Sequence, residues 1–91
     1  MSLEQLRYFV TVADEGGLRR AAARLHVSQP PLTRQIRALE DELGVELFQR
    51  SARGVRLRPQ GEVFLRHARE ILLQLDRAVE ATRSSLEPPS G

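Results

Sequence analysis

Ninety-one residues are enough for one domain with a modest core, and the complete lack of cysteine rules out disulfide frameworks, thiolate zinc sites and cysteine nucleophiles. The net charge of +2 hides an asymmetry: residues 18–58 carry nine arginines against four acids, while the segments on either side are net acidic. All fourteen basic residues are arginine, the better fork for phosphate and guanine, although genomic composition alone also produces such a bias; no apolar run approaches membrane-spanning length, so a soluble, cytoplasmic protein is expected.

Leu3, Leu6, Phe9, Val10 and Ala13 recur at three- and four-residue intervals and predict a first amphipathic helix, ended by Gly16 and Gly17. Leu18, Ala21, Ala22 and Leu25 predict a shorter second helix whose alanines let a neighbour approach closely, with His26 and Val27 in the turn that follows. For a third helix over 29–43, Ser28 is the expected N-cap, and Pro30 and Pro31 fall in the first turn, where a missing amide proton costs little. Leu32, Ile36, Leu39 and Leu43 are its expected buried stripe, and Gly44 supplies the left-handed residue after it. From Glu46 the period moves towards two, giving a hairpin of Leu47 to Arg50, a turn through Ser51–Gly54, and Val55 to Arg58. Pro59 opens a last helix reaching residue 86, about 42 Å long at 1.5 Å per residue. Its stripe is Phe64, Ala68, Ile71, Leu75, Ala78 and Thr82, widened by Leu72, Val79 and Leu86; residues 87–91 read as a flexible hinge or tail.

Two short helices joined by a tight turn match the geometry that places a second, recognition helix in the major groove of DNA. On the face of the third helix opposite its apolar stripe lie Pro30, Arg34, Arg37 and Asp41, with Thr33 on the flank. Gln29 can pair bidentately with adenine and Arg34 with guanine. The competing explanation is an ordinary solvated face, with Arg37 paired to Asp41 one turn on. The charge order disfavours it: Glu40, Asp41 and Glu42 sit at the C-terminal end, the reverse of what the helix dipole favours, and a DNA-facing N-terminal half accounts for that order. Arg53 at the hairpin tip suits a minor-groove or phosphate probe, and at least one of Arg19 and Arg20 is expected to anchor phosphate.

The run Ala21-Ala22-x-x-Leu25-x-Val27-Ser28-Gln29-Pro30-Pro31-Leu32-Thr33-Arg34-Gln35-Ile36, continued by Leu39-Glu40, Leu43-Gly44-Val45, Leu47-Phe48 and Arg50, strongly resembles LysR-type transcriptional regulators. The resemblance covers residues 1–87. It implies a mainly α fold: a winged helix-turn-helix over 1–58, of three helices and a two-stranded wing, then a linker and dimerisation helix over 59–86. It further implies base reading by Gln29, Pro30, Pro31, Thr33 and Arg34, and wing or backbone contacts from Arg53, Arg19, Arg20, Ser28, Arg37 and Arg50. Family members continue into an effector domain that binds a small molecule; the resemblance implies that such a domain is to be expected outside these 91 residues. No cofactor, metal or membrane contact is implied. Two departures stand out. Arg58 precedes Pro-x-Gly where a threonine cap is usual, and Leu18-Arg19 replaces an aromatic-threonine pair, which keeps the packing but alters a backbone contact.

The winged core ends near Arg58, and a helix of that length outruns so small a body. Ile71, Leu72, Leu75, Ala78, Val79 and Leu86 therefore need another surface. Each large side chain left exposed forgoes about 1.5 to 3 kcal/mol, and a symmetric partner helix is the simplest cover. A homodimer would read an inverted repeat with half-sites about 34 Å apart or a multiple of it. A downstream domain and a membrane surface are the alternatives, the latter disfavoured by a polar face of mixed sign. Competing functions are a nonspecific architectural DNA protein and a protein-interaction module. An enzyme is disfavoured because His26 and His67 stand alone, with no nucleophile, base or metal spacing around them.

Overall fold

Ser2 sets the start of the first helix, α1 (Leu3–Glu15), in a computed structural model that describes residues 1–86. Its hydroxyl accepts the Gln5 N–H at 3.1 Å, and the Gln5 side-chain oxygen accepts the Ser2 N–H at 3.3 Å, so two otherwise orphaned amide protons are satisfied. Gly16, at φ 69°, ends the helix by donating its N–H to the Val12 carbonyl. The buried face of α1 is Leu6, Phe9 and Val12, with Val10 and Ala13 half-buried and Leu3 exposed. Val12 lies outside the expected stripe; α2, α3 and α4 all pack on α1, and being covered from several sides widens its buried face.

The second helix, α2 (Leu18–Leu25), buries Ala21 and Ala22. It ends at His26, the one described non-glycine residue with positive φ, at 58°. The third, α3 (Gln29–Leu43), buries Leu32, Ile36 and Leu39, leaves Leu43 half-buried, and closes on Gly44 at φ 73°. Strands β1 (Phe48–Ser51) and β2 (Gly54–Leu57) are antiparallel, with Phe48 opposite Leu57 and Ser51 opposite Gly54. The turn is therefore the two residues Ala52 and Arg53, and Arg58 leaves the strand to precede the next helix. Gly54, at φ 117°, is required there, because a Cβ would stand 2.6 Å from the Gly16 carbonyl oxygen. That carbonyl also accepts the Val55 N–H at 3.2 Å, pinning β2 to the α1–α2 turn.

Helix α4 (Pro59–Ser84) runs 26 residues, about 39 Å, in a molecule measuring 63 × 25 × 19 Å. Arg58 stands at its N-cap with no side-chain cap bond. Its first half closes the core: Phe9 lies between Phe48 and Phe64, both at 5.3 Å between ring centroids, and Ala68 is fully buried. Arg69 binds Asp14 of α1 at 2.5 Å. The helix stops short of the expected residue 86, so Leu86 lies beyond it, 78% exposed. The expected tail over 87–91 is outside the described residues.

Candidate nucleic-acid interface

The start of α3 is built unusually. Ser28 occupies the N-cap position, yet its side chain makes no cap bond, contrary to the sequence expectation. A cap hydroxyl accepts from the second or third helical N–H, and here those residues are Pro30 and Pro31, which have none. The exposed Ser28 hydroxyl is thus left over from helix formation. Beyond it, Gln29, Pro30, Thr33 and Arg34 line one shallow concavity of about 390 Å³. Spacings of one, four and five residues put them on a single helix face. Pro31 is half-buried and stands outside that concavity.

A second concavity, of about 270 Å³, separates the starts of α2 and α3 from the wing; Arg19, Gln29, Arg50 and Ser51 are among its walls. Gln29 joins the two surfaces. Helix α2 begins at Gly17 with no side-chain cap and no acid in its first turn, so its N-terminal amides and positive dipole end face outward uncompensated. Arg20 turns elsewhere: its guanidinium lies 3.8 Å from where a Cβ on Gly16 would sit.

Arg53 is exposed at the hairpin turn, its backbone N–H donating to the Ser51 hydroxyl at 3.2 Å. Arg50 lines the concavity beside Arg19 and Gln29 and also the cleft that holds Arg37. Arg50 reaches back to Glu40 at 3.6 Å. Arg37 lines a larger cleft, of about 710 Å³, together with Glu40 and Asp41 of α3 and Glu46 of the segment that follows it. The Arg37–Asp41 pair of the bland alternative is not formed. Arg19, Arg20, Arg34, Arg37 and Arg53 have no acid within ion-pair distance among the described residues, whereas Arg24, Arg58 and Arg69 are paired to Glu15, Glu46 and Asp14.

From the sequence, Glu40 stands out only as an acid set against the helix dipole, and its contacts with the wing are missed. Its Oε2 accepts the backbone N–H of Leu47 at 2.7 Å and of Phe48 at 3.3 Å. The signal was present: an acid set against the helix dipole needs a local donor to hold it. Glu42 likewise meets the N-terminal ammonium at 2.7 Å. Gln35 was also unremarked; it accepts from the Gln5 side-chain amide at 2.9 Å and ties α3 to α1.

Along α4, Ile71 and Val79 are 44% and 41% exposed, Ala78 is exposed and Leu75 is half-buried. Leu72 belongs elsewhere than expected: it is half-buried against the domain's own core. Leu73, outside the expected stripe, is 48% exposed. Among the described residues no cluster of histidine and acidic side chains could hold a metal, and no helix is long and apolar enough to cross a membrane.

A trihelical core, a two-stranded wing pinned to the α1–α2 turn, and a long trailing helix define a winged helix-turn-helix domain. Residues 3–62 match the family of bacterial regulatory helix-turn-helix proteins of the LysR type. The transcriptional regulator TfdT of Cupriavidus pinatubonensis is 50% identical over 91 residues, covering all of this chain and 40% of TfdT. The fold matches the crystal structure of a CbnR DNA-binding domain in complex with DNA (TM-score 0.90, 49% identity, 93% of this chain and 98% of that one). It also matches a BenM DNA-binding domain with catB site 1 DNA (TM-score 0.91, 42% identity, 96% and 100%). The chain belongs to the LysR family, and the relatives it matches are transcriptional regulators. It spans well under half the length of the curated relatives it matches.

Proposed function

We propose that this chain is the operator-reading part of a LysR-type transcription regulator, binding double-stranded DNA as a homodimer on an inverted-repeat site. The observation that carries the proposal is the concavity shared by exposed Gln29, Pro30 and Arg34 and half-buried Thr33, which contains hydrogen-bonding groups for base edges and no acid. With α3 in the major groove, Gln29 suits adenine, Arg34 suits guanine, and Pro30 and the Thr33 methyl give apolar contact to thymine. Pro31, half-buried, supports that surface from the side.

The free Ser28 hydroxyl and Arg19, beside the uncapped start of α2, suit phosphates flanking the groove. Arg20 and Arg37 add to the positive field from further out. Arg53, at the wing tip, reaches towards the minor groove, and Arg50 serves the wing mainly through its pair with Glu40. Residues 1–58 act as the reading head and α4 as the linker and dimerisation helix. Ile71, Leu75, Ala78 and Val79 form the stripe that a second copy covers, Leu72 backs it from the core side, and Leu86 flanks it past the helix end. A small-molecule effector would act through a separate domain, as the relatives' greater length allows. Work on chromosomal DNA sets the protein in the cytoplasm, at the nucleoid.

Selection of bound duplexes from a random pool with this chain tests the proposal. The expected product is a dyad of two enriched half-sites. On that site Arg34→Ala should cost about 1 to 3 kcal/mol and relax the preference at one base position. A uniform loss on all sequences would favour the architectural alternative, and a pool without enrichment would overturn sequence-specific reading.

A further inference from the structure

We infer that Glu40 is a positioning residue for DNA recognition: from the recognition helix it sets where the wing, and with it Arg53, stands relative to the base-reading surface. The inference rests on the proposed use of α3 and the wing as the DNA interface. Three contacts support it. Oε2 of Glu40 accepts both the Leu47 N–H (2.7 Å) and the Phe48 N–H (3.3 Å), and Oε1 faces the Arg50 guanidinium at 3.6 Å. One carboxylate thus holds three of the five residues, 47–51, by which the chain enters and builds β1. Its side chain is only 11% exposed, so these charge-assisted contacts are little weakened by water.

The mechanical consequence follows from the second tether. Strand β2 is fastened to the α1–α2 turn by the Val55 N–H to the Gly16 carbonyl, at 3.2 Å. The base of the hairpin is already rooted in the core by Phe48 against Phe9, so the two tethers govern only the direction in which its tip projects. Held at both strands, it has one orientation, and the second fastening is to the same helix that carries Thr33 and Arg34. Six residues, about 9 Å along the axis, separate Arg34 from Glu40, so any tilt of α3 in the groove carries the wing with it.

The placement costs something elsewhere. A carboxylate at the C-terminal end of a helix opposes the dipole, and near a polyanion it opposes binding. Removing Glu40 therefore relieves a repulsion while it frees the wing, and the affinity of the single variant mixes two opposite signs. The coupling between Glu40 and Arg53 isolates the positioning effect, because the repulsion cancels around the cycle.

The experiment is a double-mutant cycle of Glu40→Ala and Arg53→Ala in the 91-residue chain, read by fluorescence anisotropy on the selected operator duplex. Circular dichroism gives the folded fraction used to normalise each affinity. Arg53→Ala should weaken the parent by about tenfold and the Glu40→Ala protein by less than about twofold. The slope of log affinity against log salt should fall by about one for Arg53→Ala in the parent and hardly at all on the Glu40→Ala background. If Glu40→Ala does not fold, Glu40→Met takes its place in the cycle, since it fills the same space with an unbranched side chain that gives up both the acceptor for the two N–H groups and the charge facing Arg50. Equal factors for Arg53→Ala on both backgrounds, or no effect of Arg53→Ala in the parent, would overturn the inference while leaving DNA binding intact. A parent that binds no duplex would overturn the DNA function as well.

Discussion

Replacing Gly61 by alanine sets helix propensity against packing, and the two predict opposite signs. Inside a helix, Gly→Ala is worth up to about 1 kcal/mol of stabilisation. Gly61, however, is buried where α4 crosses the entrance to the wing, and a Cβ there would overlap the Leu47 carbonyl oxygen and stand 2.9 Å from Leu57 Cδ2. The Leu57 methyl can rotate aside. The carbonyl cannot, because it accepts the Arg58 N–H at 2.9 Å and its residue is held from the other side by Glu40. Relief requires α4 to back away from the sheet, which loosens Phe64 and Ala68 in the core. Overpacking of this kind costs about 1 to 3 kcal/mol, here towards the upper end because the obstructing atom is backbone. Losing the Arg58–Leu47 hydrogen bond adds about 1 kcal/mol. After subtracting the propensity gain, the net is about 3 kcal/mol of destabilisation, or a fall in Tm of about 12 to 24 °C for a domain of this size. Thermal unfolding followed by far-ultraviolet circular dichroism measures it, at one fixed protein concentration because dimerisation makes Tm concentration-dependent. A Tm unchanged within about 2 °C, or raised, would refute the close approach of α4 to Leu47.

Two serines at helix starts should respond differently. Ser2→Ala breaks a reciprocal cap and should cost about 1 kcal/mol, whereas Ser28→Ala should leave Tm unchanged, because no cap bond exists to lose, and should weaken DNA binding instead. Equal Tm losses would contradict the proline-based account of the α3 start. Leu75→Asp with Val79→Asp should convert dimer to monomer in sedimentation experiments and weaken binding to the full inverted repeat by about a hundredfold, with affinity for one half-site preserved. A variant that stays dimeric would place the interface elsewhere.

Much of the fold was legible because the chain states it redundantly. Apolar spacing, the two left-handed glycines, 16 and 44, and Pro59 all mark helix ends that the structure reproduces. What escaped depends on tertiary contact. Val12 joins the core because three helices meet on α1, which no single-helix stripe encodes. Leu72 looked like an interface residue because a continuous stripe does not reveal where the domain's own core ends and a partner begins. His26 was assigned only to a turn, since nothing in its local sequence demands positive φ. That Pro30, Thr33 and Arg34 share one side of α3 was legible from helical projection, whereas their grouping with Gln29 and the separation of Arg37 and Asp41 into another cleft were not; the failure of the Ser28 cap was legible too, had the missing amide protons of both prolines been counted.

The distribution of ion pairs carries a last consequence for how the domain recognises DNA. Twelve acids are available, yet of the six arginines expected near DNA only Arg50 has an acid within 4 Å among the described residues. The other pairs join elements at their junctions: Arg24 to Glu15 across the first turn, Arg69 to Asp14 between α4 and α1, and Arg58 to Glu46 below the wing. Such exposed pairs are worth only about 0 to 1 kcal/mol each, so fold stability alone exerts little pressure on where they form. Their placement matters more for what it leaves free. Arg19, Arg34 and Arg53 keep their full charge and their full set of donors, and no internal pair has to be broken when phosphate or guanine arrives. The Glu40–Arg50 pair is the informative exception: under the proposed function it gives up one cation on the DNA side and, by the positioning inferred for Glu40, would fix the angle at which another, Arg53, is presented. Charge supplies the attraction, which acts over about 8 Å at physiological salt and is indifferent to sequence. Discrimination between sites must then come from geometry, and the domain devotes a carboxylate, a glycine contact and half of a long helix to holding that geometry.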